Sequence, residues 1–533
     1  MSYEVIQRVG KYQYIFLATG YRDQNGKVRQ KRVPIGKVDP ETGRKFYKPE
    51  YSAQNQKDKV EADSPLSNEE GFSIDDVRQS TVRSCGLFHL LRGLAEQIGL
   101  ITAMKAAFSD DWMHLFMLAC YMIASGDPLM YCEDWLYGTE SYPVGRMTSQ
   151  QISRLLLRIR PEQRDAFFRA WHSSSGKDEF FALDITSHSS YSDLIEDVEW
   201  GYNRDKETLP QINLCMLMGQ TTRLPIYQTE YSGSLKDVST LECTLRQLEA
   251  IIGTSQVTAV MDKGFYSSKN VSYLLGDEKR APILFLLAVP FTTSFARRQV
   301  AGERKDIDCV ENTILVNGES LRAITKKRAW GKGQTVFVHI YYNASKAHAI
   351  RERLYAKIAC LREKVNTAPE SAQKDKECAK YLIVRKSEKK QLGYTVTIRK
   401  DVIEKELEVA GWLVLISNAV PTAKEALTIY RDKDVVEKGF FRLKNSIDLG
   451  RLRIHSDCAM QNKLLIGFLA SVLMSKMNQV MSSHGLYKTY TMKEMQKILD
   501  RQRVHEIRGQ KIFTPPTCEQ KNIYVVFNMD PPS

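Results

Sequence analysis

Four side chains at fixed spacing, Tyr430, Lys433, Glu437 and Lys444, carry the clearest chemistry in this 533-residue chain. They fall in a stretch that reads as one helix over residues 422–444, with Thr422 as N-cap and Glu425 three residues on. A helix turns ~100° per residue, so Tyr430, Lys433 and Lys444 lie within roughly 60° of Glu437. A phenol, two ammonium groups and a carboxylate therefore share one stripe. Ile429, Val436, Phe440 and Leu443 form an apolar stripe beside it. A carboxylate flanked by cations at the rim of a core suits a site that holds metal and phosphate. The same stripe serves equally as a solvated i,i+4 charge ladder. Asp434 is a rival acid, but it points roughly 60° away from Glu437.

Two more acids stand after apolar runs. Phe180 to Ser187 reads as a strand carrying Asp184, and Val257 to Asp262 as a strand ending in its acid. Magnesium takes hard oxygen ligands and keeps some of its waters, so two or three carboxylates plus a substrate phosphate suffice. Asp184, Asp262 and Glu437 are thus the candidate metal and catalytic residues, with Asp184 as the bridging ligand. Lone strand-end acids are common, and only the combination is informative. Asp193, Glu196, Asp197 and Glu199 are nearby alternatives in a polar loop.

The elements that must position these acids follow a recognisable order. Residues 212–218 and 226–231 continue the first strand as a meander, with a tight turn at 221–223. An amphipathic helix over 238–252, the Asp262 strand, a short helix over 268–275 and a strand over 283–289 complete the set. Three strands, helix, strand, helix, strand matches a ribonuclease H-like core. Residues 291–410 do not fit that core and read as a β-rich insertion domain with a basic helix near 345–365. Residues 411–450 return to the core with an apolar strand that Trp412 opens, a turn at 418–421 and the Glu437 helix. Residues 451–533 form a C-terminal helical region, with a basic amphipathic helix near 493–508.

Upstream, residues 1–60 read as a basic β-rich domain with a hairpin at Asn25-Gly26. Lys27, Arg29, Lys31 and Arg32 stud its second strand and suit a DNA groove, or equally a charged edge strand that blocks aggregation. Residues 61–73 read as a linker, within a polar stretch that starts near residue 37. Residues 74–175 read as a helical domain, in which Arg154, Arg158 and Arg160 could face DNA. The class is therefore α/β, with a ribonuclease H-like core, a β-rich insertion, and N-terminal β and helical DNA-binding regions.

Composition sets the partner. Lys and Arg number 76 against 63 Asp and Glu, a net charge of +13. Residues 1–60 hold 13 Lys/Arg and 6 Asp/Glu, so they carry more than half of it. Such a balance favours nucleic acid over a membrane surface, since no basic amphipathic membrane helix stands out. The ten cysteines lie singly, without a Cys-x2-Cys pair, which argues against structural zinc and for reduced thiols. The N-terminus shows no apolar secretory segment, and the run 115–124 is too short to span a bilayer.

The spacing Tyr430-x2-Lys433-x3-Glu437-x6-Lys444 resembles the signature of bacterial insertion-sequence transposases of the DDE type, in the group marked Tyr-x2-Arg-x3-Glu-x6-Lys. Lys433 stands where that group has Arg, and an ammonium grips phosphate as a point charge rather than a planar fork. Asp184-Ile185-Thr186-Ser187 and Asp262-Lys263-Gly264-Phe265-Tyr266 are the other two anchors. The resemblance covers most of residues 180–475. It implies catalytic carboxylates at Asp184, Asp262 and Glu437, binding Mg2+ with Mn2+ as a substitute. It also implies phosphate contacts from Tyr430, Lys433 and Lys444, and a Trp412 that supports an extruded base. The partners implied are double-stranded DNA, both terminal inverted repeats and target, and a second copy in a homodimer. The expected activity is cut-and-paste transposition in the bacterial cytoplasm, on the nucleoid. A metal-dependent nuclease or resolvase on the same core, and an inactive DNA-binding relic, are the alternatives.

Overall fold

The structure is a computed structural model that describes residues 2–9, 12–22, 28–39, 45–48, 74–175, 180–252, 258–331, 333–386, 394–447, 449 and 451–533. The chain divides into two compact units, Met1–Arg78 and Gln79–Ser533.

The first unit contains an antiparallel sheet of β1 (Ser2–Val9), β2 (Tyr12–Arg22), β3 (Val28–Val38) and β4 (Lys45–Tyr47), in that order. Ile15, Ala18 and Ile35 are its buried apolar residues among those described, and the β2–β3 register shifts between Ile15 and Phe16. The polar stretch after residue 37 thus contributes a strand, β4, before residues 49–73, which lie outside the described residues.

The second unit opens with a departure from helical periodicity. Residues 81–84 form strand β5 (Thr81–Ser84) rather than helix, because they pair with a strand more than 400 residues away, described below. Helices Gly86–Gln97, Leu100–Phe108, Trp112–Ala124, Ser149–Arg158 and Pro161–Ser174 follow. The Ser149–Arg158 helix starts with a reciprocal capping box between Thr148 and Gln151.

A mixed nine-stranded sheet organises the rest. Its first strands are β6 (Phe180–Ser189), β7 (Gln211–Gly219), β8 (Pro225–Ser232), β9 (Thr258–Met261) and β10 (Leu284–Ala288). From the 291–410 segment come β11 (Thr313–Val316), β12 (Glu319–Trp330) and β13 (Gln334–Tyr342), then the separate hairpin β14 (Leu382–Lys386) and β15 (Tyr394–Ile398). Strand β16 (Trp412–Ser417) completes the set, and the spatial order is β11-β12-β13-β16-β10-β9-β6-β7-β8. Strands β6, β9 and β10 run parallel, and every other neighbouring pair is antiparallel. Strand β7 is buried along its whole length, as a strand covered on both faces must be, and beyond Gln211 and Asn213 near its start its sequence is accordingly apolar.

The inserted segment is thus not wholly a domain apart. Its first three strands extend the central sheet through β13–β16. Only the helix Ala344–Thr367, two short helices, the β14–β15 hairpin and the helix Lys400–Leu407 build a small core of their own, around Leu354, Ile358, Leu361 and Tyr381.

The sequence suggests one helix over residues 422–444, and the structure has two. Ala423–Asp432 and Asp434–Asn445 meet at Lys433, which keeps helical dihedrals but interrupts the hydrogen-bond ladder. Thr422 caps the first of them, accepting from the Glu425 amide. The helix Asp457–Ser483 passes along the core and is buried on nearly every side. By length and composition it could cross a membrane, and most of it lies among protein side chains. The expected helix near 493–508 ends at Asp500. Residues 503–513 turn back as β17 (Arg503–Ile507) and β18 (Gln510–Phe513), and β17 pairs with β5. Arg508 and Gly509 both have positive φ, which suits the tight turn between them.

Candidate active site

Register brings the first two acids together. Leu183 on β6 is the partner of Met261 on β9, so Asp184 and Asp262 are the next residues along two adjacent parallel strands. Strand β9 stops at Met261 because Asp262 turns the chain: its Oδ1 accepts from the Lys263 amide at 2.6 Å and caps a 3-10 turn. Strand β6 continues past Asp184 to Ser189, so this acid sits within the strand, opposite Met216 of β7. The Ile185 amide donates to Asp184 Oδ1 at 2.9 Å.

The helix pair supplies the other wall. Tyr430 donates to Asp262 Oδ1 at 3.1 Å. The break at Lys433 drops its side chain into the interior, where only 6 % of it remains exposed. Its Nζ lies 3.9 Å from Asp184 Oδ2 and donates to Glu437 Oε1 at 3.1 Å. One ammonium thus bridges the acid of the central strand and the acid of the helix. Glu437 itself is largely exposed, so it can swing without disturbing the core.

Electrostatics follows from that packing. Burial pushes the Asp184 carboxyl up to about 6, against the pull of Lys433, the Ile185 amide and Arg204. Burial also works against the charge on Lys433, but Asp184, Asp262 and Glu437 together hold its pKa above the ordinary lysine value. The Tyr430 hydroxyl is pushed far up, first by burial and then by the charge on Asp262. It therefore stays a hydrogen-bond donor at neutral pH.

Lys444, on the same stripe in the sequence reading, goes elsewhere and pairs with Asp205. Asp434 faces away and pairs with Lys438 at 2.8 Å. Of the loop acids, Asp193, Glu196 and Glu199 are exposed, and Glu199 accepts from the Ser232 hydroxyl. Trp412 is partly buried at the start of β16, its ring 4.8 Å from that of Tyr342. It lines a cavity of about 1340 Å3 together with Asp262, Tyr430, Tyr202, Lys263 and Lys346. Lys236 and Arg297 add to its basic wall, and Arg204 on the same wall is held by both oxygens of Asp237, at 2.6 and 2.7 Å. Sequence reasoning missed Tyr202, Arg204, Lys236 and Lys346, because their approach depends on loops whose course no local pattern encodes. Lys263, beside Asp262, was the available signal.

In the first unit, Lys31 and Arg32 are exposed on β3, and Arg32 donates to Gln7 and Gln30. Lys27 lies outside the described residues, as does the side chain of Arg29. Arg158 on the Ser149–Arg158 helix is paired with Asp111, while Arg154 and Arg160 are exposed. All ten cysteines are free thiols, five of them buried.

Among the described residues no three His, Cys, Asp or Glu side chains stand close enough together to hold a metal ion. The donor set nevertheless fits one in kind: hard carboxylate oxygens on adjacent strands, with a mobile third carboxylate tethered through Lys433. The Lys433 ammonium supplies positive charge to this acidic ground.

The sheet is mixed, with two acids at neighbouring strand positions and a third on a helix beside them. The chain matches the family "Transposase DDE domain" over residues 175–473, more than half its length, and belongs to that family. The family is one of DNA-cleaving and DNA-transferring enzymes that use divalent metal ions. No curated protein matches the chain. Among solved structures, it is similar to the cryo-EM structure of a piggyBac transposase synaptic complex with hairpin DNA. The identity is 10 %, the TM-score 0.35, and the match covers 84 % of this chain and 74 % of that one.

Proposed function

We propose that this transposase cleaves and rejoins DNA at the terminal inverted repeats of its element, using Asp184, Asp262 and Glu437 as metal ligands. The observation that carries this reading is the shared register of Asp184 and Asp262, with Glu437 tied to Asp184 through one buried lysine. The order β8-β7-β6-β9-β10, antiparallel then parallel, supports a ribonuclease H-like core. Mg2+, or Mn2+ in its place, would activate the attacking oxygen and stabilise the leaving one.

The chain's own residues then have distinct tasks. Asp184 and Asp262 hold fixed positions because sheet and backbone amides hold them. Glu437 closes the site from the helix. Tyr430 orients Asp262. In the first step a water oxygen bonds to phosphorus at the element's end, the P–O3′ bond breaks, and the 3′ oxygen leaves with a proton. That hydroxyl oxygen then bonds to the phosphorus of a second phosphodiester, in the opposite strand or the target, whose own P–O3′ bond breaks, and the departing 3′ oxygen takes up the proton. Lys433 and Lys444 would steady the flanking phosphates, Lys444 by leaving Asp205. Trp412, at the cavity wall, supports a base drawn out of the stack, since an indole face offsets part of the unstacking cost. The basic stretch bearing Lys27, Arg29, Lys31 and Arg32 would hold duplex, and two copies would pair the two ends as a homodimer on the bacterial nucleoid.

The test is a labelled element-end duplex incubated with the protein and Mg2+, beside Asp184→Ala, Asp262→Ala and Glu437→Ala. Nicking at the end that vanishes in all three variants, with binding retained, supports the triad. Nicking that persists in any of them removes that residue from the site. End joining after nicking separates a transposase from a nuclease or resolvase on the same core.

A further inference from the structure

The chain's positive charge is concentrated in two places. Residues 1–60 are one; residues 344–407 are the other, with 16 Lys/Arg against 9 Asp/Glu. Each carries +7 of the total +13, so everything else is close to neutral. The second concentration is the small module packed on the helix Ala344–Thr367, which buries Leu354, Ile358, Leu361 and Val365.

Lysines and arginines behave differently on that helix. Lys357 is paired with Glu377 at 2.5 Å, and Lys364 with Asp375. Arg351, Arg353 and Arg362 are exposed and meet no carboxylate among the described residues. At ~100° per residue, Arg351, Tyr355 and Arg362 share one flank within roughly 40°, and Lys346 and Arg353 share the other within roughly 20°. Tyr355 is 49 % exposed. Between the flanks, the outward face is mostly small: Ala349, Ala356, Ala359 and Cys360, all exposed. Glu352 and Glu363 are the acids there.

A helix with a low outward face and free cations on both sides matches a duplex groove, which admits a helix between two phosphate backbones. Free guanidinium groups are the better phosphate ligands, and here the lysines are the ones tied up. Lys346 lies at the helix start and also lines the cavity that contains Asp262, so the basic flank begins at the candidate active site. We propose that the helix Ala344–Thr367 seats in a groove of the duplex that flanks the cleaved bond, with Arg351 and Arg362 on one backbone and Lys346 and Arg353 on the other. This rests on the DNA-cleaving reading and adds a second, sequence-independent grip on DNA to it.

The test uses the full chain and a fluorescein-labelled 30-base-pair duplex of arbitrary sequence, with anisotropy followed from about 50 to 300 mM salt. Removing one cation from a phosphate lowers the slope of log K against log salt by about 0.9. Arg351→Ala with Arg362→Ala, and separately Lys346→Ala with Arg353→Ala, are each expected to lower it by about 1.8 by the same rule. Glu352→Gln with Glu363→Gln is expected to tighten binding several-fold, opposite in sign. Melting temperatures should stay level, since none of these side chains is buried. An unchanged slope in both arginine-containing pairs, with DNA still bound, overturns the groove proposal and leaves the catalytic reading standing. No DNA binding by the unaltered chain overturns both.

Discussion

Asp184→Asn should stabilise the protein while abolishing its chemistry. Burial raises this carboxyl from 3.8 to about 6 even with Lys433 close by, so in the absence of metal the ionised form is disfavoured in the fold. At 1.36 kcal/mol per pKa unit, that gap corresponds to at most about 3 kcal/mol. The group binds its proton more tightly folded than unfolded. Its contribution is therefore favourable below about pH 4 and is lost as pH rises through about 6. Asparagine cannot ionise, and Lys433 still keeps Glu437 at 3.1 Å. The measurement is urea unfolding of both proteins in EDTA from pH 4 to 8. The difference between them should be near zero at pH 4 and grow in favour of Asn to at most about 3 kcal/mol at pH 8. Mg2+ should raise the stability of the native chain and leave the variant unmoved. A variant less stable at pH 8, or a difference that ignores pH, would falsify the picture of Asp184 as a strained, metal-awaiting carboxylate.

Other outcomes follow from the same geometry. Tyr430→Phe deletes one hydrogen bond to Asp262 and should cost about 1 kcal/mol in unfolding, with slower end nicking in the duplex assay. His188 and His339 are buried neutral, with burial lowering each from 6.5 to about 4, so the unfolded chain takes up the protons. Stability from these two is whole above about pH 6.5 and should fall by about 3 kcal/mol each towards pH 4; His339→Gln should flatten half of that acid limb in urea titrations. Gly411 sits at φ +78°, and a Cβ there would lie 2.5 Å from the Asn343 carbonyl oxygen, so Gly411→Ala should cost upwards of about 2 kcal/mol by the same measurement.

What could be read from the sequence was local. The apolar runs ahead of Asp184 and Asp262 pointed to strands because they are short and β-branched or aromatic residues stand in them, where a buried helix needs a longer run. Thr422 marked the start of the helix pair through side-chain capping chemistry, whereas the Asn418 side chain turns out to accept from the Phe285 amide of the neighbouring strand. The break at Lys433 left no trace, since Asp432-Lys433-Asp434 contains no proline or glycine. At that position a lysine meets two acids, one of them 249 residues upstream. The stripe of Tyr430, Lys433, Glu437 and Lys444 was drawn on one straight helix. In the structure the first three stay together and Lys444 pairs with Asp205, an acid in a loop whose sequence is merely polar. Residues 291–410 were legible as β-rich, yet the membership of their first strands in the central sheet was not, because partner choice across 70 residues or more has no local signature. Strand β5 was hidden for the same reason within a region of helical period.

The pairing of β5 with β17 has a consequence in time. Arg503 stands opposite Ser84, so the larger unit is sewn shut by residues from its two ends. At about 5–20 residues per second, a ribosome needs roughly 20 to 80 s to make the chain between them. Through that interval Asp184, Asp262 and Glu437 emerge one after another. The three-stranded sheet of β5, β17 and β18 must wait for the final stretch, and so must the docking of the last helix against the first. Any chain cut short near its end would carry all three acids and lack the clasp that closes their scaffold.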